Sequence, residues 1–590
     1  MFSKSLRLTA AVLFAYALIF CGSASFFNTS VLAANEKTVA LVMKALTNPF
    51  FFKMELGAKA YANRSKIALE VFGVERETDV ERQISIMENL ISRGYGAIVI
   101  APADSKQLVP VCQKALASGI VVVNIDNPLH KATLQKHNLA IPFVGPDNRA
   151  GAAQVGAYLR NRLNGHGRVI VIEGIRGVEN AELRKTGFIE AITRDSSIEI
   201  VASESANWHT DEALSLAVKL LNRHAPVDAV FCANDKMALG VLQALDFSGL
   251  AGKTALAGYD NIEAVRSEMR SGRMHATVEQ HPELMGQYGV ELAVQAHEGK
   301  KLPLLLPTPV DLITRETFGK TIALSISSLR NPFFISLHQA VLDAASLHGA
   351  KLVVADARDN NAQQLIDLTA FLNESVDALI INPTNIETVG PGIELANNRN
   401  IPVITVDRKA SEGRTICHIE SDNLEGGRMA ARSIASLLQG KGSVIELEGI
   451  PGTSAGLERG AGFNEALKAF PDITVVAREV ADFEQQKAKE VILRTMQQNL
   501  RFDGIFAHND NMILGAAEAL EARGASASIV LVGFDGIQAA LEALRQGRIN
   551  ATIAQKPEKM GALAVSSLAR FWRGEKPVSP IRVDLEVIER

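Results

Sequence analysis

The chain has 590 residues, of which 47% are hydrophobic and 21% charged, with a formal net charge of −4. That length exceeds what one hydrophobic core ordinarily supports, so several domains are expected. The weak negative charge argues against a surface for nucleic acid or anionic membrane, and no low-complexity tract or charge block marks a long disordered region.

Taken in chain order, the first segment differs from the rest. Lys4 and Arg7 precede an apolar run from Leu8 to about Cys21, and small residues follow up to Val31-Leu32-Ala33-Ala34. A basic head, a short apolar middle and a small-residue end read as a secretory signal over residues 1–34, cleaved near Ala33 or Ala34. The run is short for a membrane span, and bulky Phe20 before Cys21 suits a lipoprotein signal poorly. Without Lys4 and Arg7, 59 basic residues stand against 65 acidic ones, a net charge of −6. Cys112, Cys232 and Cys417 remain, widely spaced and with no Cys-x-x-Cys or paired His-Cys pattern. Neither a disulfide framework nor a zinc site is expected, and nothing calls for a cofactor.

The remainder repeats itself. Asn48-Pro49-Phe50-Phe51 returns as Asn331-Pro332-Phe333-Phe334, an offset of 283, and Asp126 returns as Asp407 at 281. Arg184 and Arg459, Asn234 and Asn509, Asp260 and Asp535, and Gln280 and Gln555 all differ by 275. A nearly constant offset means duplication of a complete globular unit, one over 37–315 and one over 320–590. The join is short and not Gly/Ser-rich, so closely neighbouring units are expected. Within the second unit, strands are predicted at 322–325, 378–381, 402–406, 444–447, 504–507 and 529–533, with helical stretches between them. Short Val/Ile/Leu runs alternating with helices predict βαβ units, mostly parallel sheets and an α/β fold with two lobes per unit.

The repeated polar residues follow the strands, where open parallel sheets bind ligands. Asn382, Asp407-Arg408, Asn509, Asp535 and Gln555 each stand just after an apolar run. A single Asp there is usually a helix cap, but several such side chains delivered to one edge, twice over, suit a carbohydrate. Its vicinal hydroxyls donate and accept, which carboxylates, Arg, Asn and Gln can match. Its apolar ring faces suit Phe333, Phe334 and Phe483.

With these residues in place, the second copy resembles the ribose-binding proteins of bacterial sugar importers over 320–590. The likeness rests on Asn331-Pro332-Phe333-Phe334, Ile381-Asn382-Pro383-Thr384, Asp407-Arg408, Gly452-Thr453-Ser454-Ala455, Glu458-Arg459-Gly460, Ala481-Asp482-Phe483, Asn509-Asp510, Gly533-Phe534-Asp535-Gly536 and Ala554-Gln555. It implies that Phe333, Phe334 and Phe483, with Phe534 as a further candidate, stack on a sugar ring. Asn331, Asn382, Asp407, Arg408, Arg459, Asn509, Asp535 and Gln555 would then hydrogen-bond its hydroxyls. The first copy resembles the wider family over 37–315 and keeps Asn48, Phe50, Phe51, Asp126, Arg184, Asn234, Asp260 and Gln280. Ala101 stands in the place of Asn382, Asn127 in that of Arg408, Trp208 in that of Phe483 and Tyr259 in that of Phe534. The first site is therefore expected to lose one amide and one positive charge, to gain stacking surface, and to take a different sugar or polyol. A degenerate, empty first site is the alternative.

The resemblance further implies two tandem type I periplasmic-binding units, each of two doubly wound lobes. Hinges are expected near Asp147 or Asp422, near Gln280 or Gln555 and near the end of each unit. The implied role is capture of monosaccharides in the periplasm by lobe closure. Delivery is to an ABC permease with ATPase subunits, and in some relatives to a chemoreceptor. An exported sensor feeding a chemoreceptor or sensor kinase shares this chemistry. An enzyme is disfavoured: Phe247 breaks the phosphate-loop pattern before Gly252-Lys253-Thr254, and no His-Glu-x-x-His occurs.

Overall fold

Each unit opens on a strand buried along its length, Thr38–Ala45 in the first and Thr321–Ile326 in the second, the latter with only its first residue partly exposed. Both runs are rich in Val, Ile, Leu and Ala, which suits a parallel strand covered on two faces. The helix after each is started by local chemistry. Asn48 and Asn331 cap Pro49–Ser65 and Pro332–Leu347, and their side chains accept from the Phe50 and Phe333 amides at 3.1 and 3.0 Å. Proline at the first helical position has no amide to satisfy.

The computed structural model describes residues 38–525 and 528–590; the signal segment predicted from sequence lies outside them. Contacts divide the chain between Arg315 and Glu316. In the first unit, one six-stranded sheet has the spatial order Leu305–Thr308, Phe143–Pro146, Val121–Ile125, Ala97–Ile100, Thr38–Ala45, Ala68–Val74, all parallel. The other runs Asp311–Thr314, Ala276–Glu279, Ala255–Ala257, Ala229–Cys232, His166–Glu173, Ser197–Ser205, parallel except for its antiparallel edge strand Asp311–Thr314. The second unit repeats both sheets. One holds Lys351–Asp356, Thr321–Ile326, Ala378–Ile381, Val403–Val406, Cys417–Ser421 and Ile581–Val583. The other holds Ile473–Val480, Gly442–Glu448, Gly504–Ala507, Val530–Asp535, Ala551–Ala554 and antiparallel Glu586–Glu589. The α/β architecture of two doubly wound lobes per unit is thus present.

In every sheet the first strand of the lobe lies between the second and third, which makes a topological switch point where a crevice opens at the strands' carboxyl ends. The chain crosses between lobes three times per unit. In the first unit the crossings follow Pro146, Glu279 and Thr308; in the second they follow Ser421, Ala554 and Val583. These lie at the hinge positions expected from sequence. Among the described residues, no helix is long and apolar enough to cross a membrane.

Candidate functional site

In each unit the two switch points face one another, and the side chains at the strand ends meet in a buried cavity. The second cavity is lined by Asn331, Phe333, Phe334, Asp407, Arg408, Ala455, Arg459, Phe483, Asn509, Asp535 and Gln555. The first is lined by Lys44, Asn48, Phe50, Phe51, Glu77, Asp126, Asn180, Arg184, Trp208, Asn234 and Asp260. Both are narrow, about 10 and about 20 Å³, too small for a sugar ring with the lobes in this arrangement.

Backbone strain aims several of these groups. Asp126 and Asp407, immediately after their strands, have φ of 63° and 62°; Asp260 and Asp535 have 115° and 121°. Trp208 and Phe483 have 67° and 59°. Non-glycine residues seldom hold such angles, which concentrate at ligand clamps. The aromatic residues also need a bare neighbour. A Cβ on Gly174 would stand 2.1 Å from Trp208, and one on Gly449 would stand 2.0 Å from Phe483.

The second-lobe walls of the two cavities are alike. Arg459 donates through Nε to Asn423 at 2.9 Å and through Nη1 to the His508 carbonyl at 2.6 Å, and reaches Asp535 at 3.5 Å. Arg184 does the same with Asn148 at 2.8 Å, the Ala233 carbonyl at 2.9 Å and Asp260 at 3.3 Å. Gln555 and Gln280 donate to Asp535 and Asp260 at 2.8 and 2.6 Å. Gln280 also accepts from Arg184 at 2.9 Å and stands behind the first cavity, whereas Gln555 lines the second. Asn234 and Asn509 cap the helices that follow and accept from Met237 and Met512. Phe534 and Tyr259 stand beneath the arginines, with guanidinium carbons 3.8 and 3.9 Å from the ring centres. Neither ring lines its cavity; within strand Val530–Asp535, alternation turns Phe534 to the side opposite Asp535.

The first-lobe walls differ. In the second unit Asn382 is fully buried behind Asp407. It donates to Asp407 at 3.3 Å and to the Val406 carbonyl at 3.2 Å while accepting from the Ser327 hydroxyl at 2.5 Å. Arg408 is held between Phe334 and Phe483, 5.2 and 5.5 Å from their centroids, and donates to the Pro383 carbonyl. In the first unit Asn127 turns away from the cavity. Its amide donates to the Pro102 carbonyl at 3.0 Å, and its oxygen accepts from Ser105 and the Asn180 amide.

The expected loss of a positive charge from the first site is offset by Lys44. At the position of Ser327, it is 2% exposed, and its ammonium lies 3.0 Å from Asp126 and 3.7 Å from Glu77. Asn48 donates to Glu77 at 3.2 Å. Sequence reading missed Lys44 and Glu77. The available signal was a lysine near the end of an otherwise uncharged strand, Thr38–Ala45.

Electrostatics mark the same surfaces. Burial pushes the Asp535 carboxyl up to about 7 against the opposing Arg459 charge, and pushes Asp260 well above the carboxylate range despite Arg184. Burial likewise raises Asp407, although Arg408 and Arg459 oppose it, and lowers Arg408. Asp407 Oδ1, Arg408 Nε and Gln555 Oε1, with Trp208 Nε1 in the first unit, are buried without a hydrogen bond. Such an atom costs about 1–3 kcal/mol.

Two lobes flanking a cavity of aromatic rings, carboxylates and guanidinium groups, present in each unit, are the architecture of solute-binding proteins. The periplasmic binding protein domain matches residues 39–301 and again 322–576, and the chain belongs to that family. It is similar to the D-ribose/D-allose-binding protein of Pseudomonas aeruginosa, 40% identical over 319 residues, which are 52% of this chain and 98% of that one. Similarity to the ribose import binding protein of Escherichia coli is 40% over 268 residues, 45% of this chain and 90% of that one. The D-allose-binding periplasmic protein of Escherichia coli is 36% identical over 280 residues, 47% and 89% of the two chains. Among solved structures, an ABC transporter solute-binding protein from Actinobacillus succinogenes with bound D-allose is 33% identical. It covers 47% of this chain and 98% of its own, with a TM-score of 0.46.

Proposed function

We propose that the chain is the solute-binding component of a carbohydrate ABC importer with two sugar sites, exported by a cleaved signal to the periplasm, and that it catalyses no reaction. The second site takes ribose or a related pentose, and the first takes a different sugar or polyol. The observation that carries this reading is the pair of buried cavities, equipped alike on the second-lobe wall and differently on the first. A degenerate first site is disfavoured by Lys44, Asp126 and Glu77, because buried charges are expensive to retain. Lobe closure buries the guest, and the permease recognises the closed form; the ligand favours closure only by binding that form better.

Calorimetric titration with pentoses, hexoses and polyols tests the proposal, alongside Asp407→Ala and Asp126→Ala. Loss of a charged hydrogen bond is worth about a hundredfold in affinity. Two binding events are expected, each weakened by about that much in one variant only. Heat from the Asp407-dependent site alone would make the first unit's cavity non-binding, and no sugar heat at all would refute the proposal.

A further inference from the structure

Behind the second sugar site lies another cavity, about 350 Å³, between the end of strand Gly442–Glu448 and helix Ser454–Leu467. It shares no lining residue with the sugar cavity. Its walls are largely backbone at Gly449, Gly452, Gly456 and Gly460, with Leu457 at its edge. On its floor, Glu446 is fully buried and accepts from His508 at 3.1 Å, Asn464 at 2.9 Å and Arg478 at 3.0 Å. Burial disfavours its charge, but these partners outweigh it and hold the carboxyl below its usual range. Glu448 is different. This half-buried residue lines the cavity, and its carboxylate has no hydrogen bond or ion pair among the described residues.

The first unit shows what such a carboxylate ordinarily has. At the common offset of 275, Glu448 corresponds to Glu173, Gly460 to Lys185, Pro451 to Arg176 and Leu457 to Glu182. Glu173 is met by the Lys185 ammonium at 3.5 Å and the Arg176 guanidinium at 3.1 Å, and Lys185 also reaches Glu182 at 2.5 Å. Burial raises the Glu173 carboxyl, yet Ser203 and these cations bring it below its ordinary value. The second unit retains the acid and replaces both cations by Gly460 and Pro451, which line the cavity beside it.

We infer that this cavity binds a small aliphatic amine, with its alkyl body along the glycine wall and its ammonium on Glu448. The guest supplies what Lys185 supplies internally in the first unit: methylenes to fill the space and a cation for the carboxylate. The assignment does not depend on which sugar occupies the neighbouring cavity.

The full mature chain is titrated with n-butylamine by ligand-observed NMR and calorimetry, with n-butanol as the uncharged counterpart. Saturable binding with a Kd of about 1 mM is expected, and n-butanol should bind at least about tenfold more weakly. Gly460→Lys, which restores the first unit's lysine, should abolish amine binding. A Cβ at Gly460 comes within 3.1 Å of Glu446 and His508. Glu448→Gln therefore serves as a second variant that adds no bulk, and a thermal melt checks its folding. Amine binding lost in a folded Glu448→Gln protein supports the assignment. No saturable binding, equal affinity for n-butanol, or unchanged binding in folded variants overturns it.

Discussion

The two cavities share one jaw and differ in the other. On the second-lobe side, Arg184, Asn234, Asp260 and Gln280 match Arg459, Asn509, Asp535 and Gln555 in identity, and the Arg–Asp distances, 3.3 and 3.5 Å, are nearly the same. On the first-lobe side, Lys44, Ala101 and Asn127 stand in the places of Ser327, Asn382 and Arg408. The positive charge has moved from the residue after one strand to a residue near the end of another. Duplication followed by divergence has thus left one wall constant and changed the other.

The largest expected effect comes from exchanging the variable jaw. Lys44→Ser with Ala101→Asn and Asn127→Arg should weaken the first site for its own ligand by about a hundredfold, since buried charge contacts are lost. The same protein should gain affinity for the second site's ligand, read by calorimetry. If preference stays with the shared jaw, the comparison fails. A smaller effect concerns pH. Burial raises the Asp535 carboxyl to about 7, and sugar hydroxyls donate to its ionised form. Binding at the second site should therefore release a proton below that pH. Its Kd should rise as pH falls, approaching about tenfold per unit, while above that pH it should flatten. Titrations in buffers of different ionisation enthalpy count the proton. Smallest is a change in stability: Gly449→Ala must displace Phe483, and Gly174→Ala must displace Trp208. Each should cost about 1–3 kcal/mol, seen as a lower Tm, with the larger indole the less able to yield.

Much of this arrangement is legible in the sequence because duplication shows which features recur. The strand ends at Asp407, Asn509 and Asp535 follow from apolar runs closed by polar residues. What sequence could not give is direction. Phe534 and Asp535 are adjacent, yet only the carboxylate reaches the cavity, since alternation fixes opposite sides without saying which faces the guest. Asn127 occupies the place of Arg408, but the nearby Pro102 carbonyl and Asn180 amide capture its side chain. Lys44 escaped notice because a lysine in a strand is ordinarily a solvated edge, and its burial depends on Asp126, brought to it across the sheet.

The three crossings have a consequence for how each unit comes to be. The first lobe's sheet is not finished by its first five strands; its edge is Leu305–Thr308, and helix Pro282–His297 covers it. Everything between residues 147 and 279 must be synthesised before that lobe can close its core. The pairing of Phe143–Pro146 with Leu305–Thr308 is therefore of high contact order. Until it forms, an unpaired parallel edge is exposed, the kind of surface on which chaperones act. The geometry that lets two jaws swing together thus also ties their folding, so that neither lobe is completed from a continuous stretch of chain.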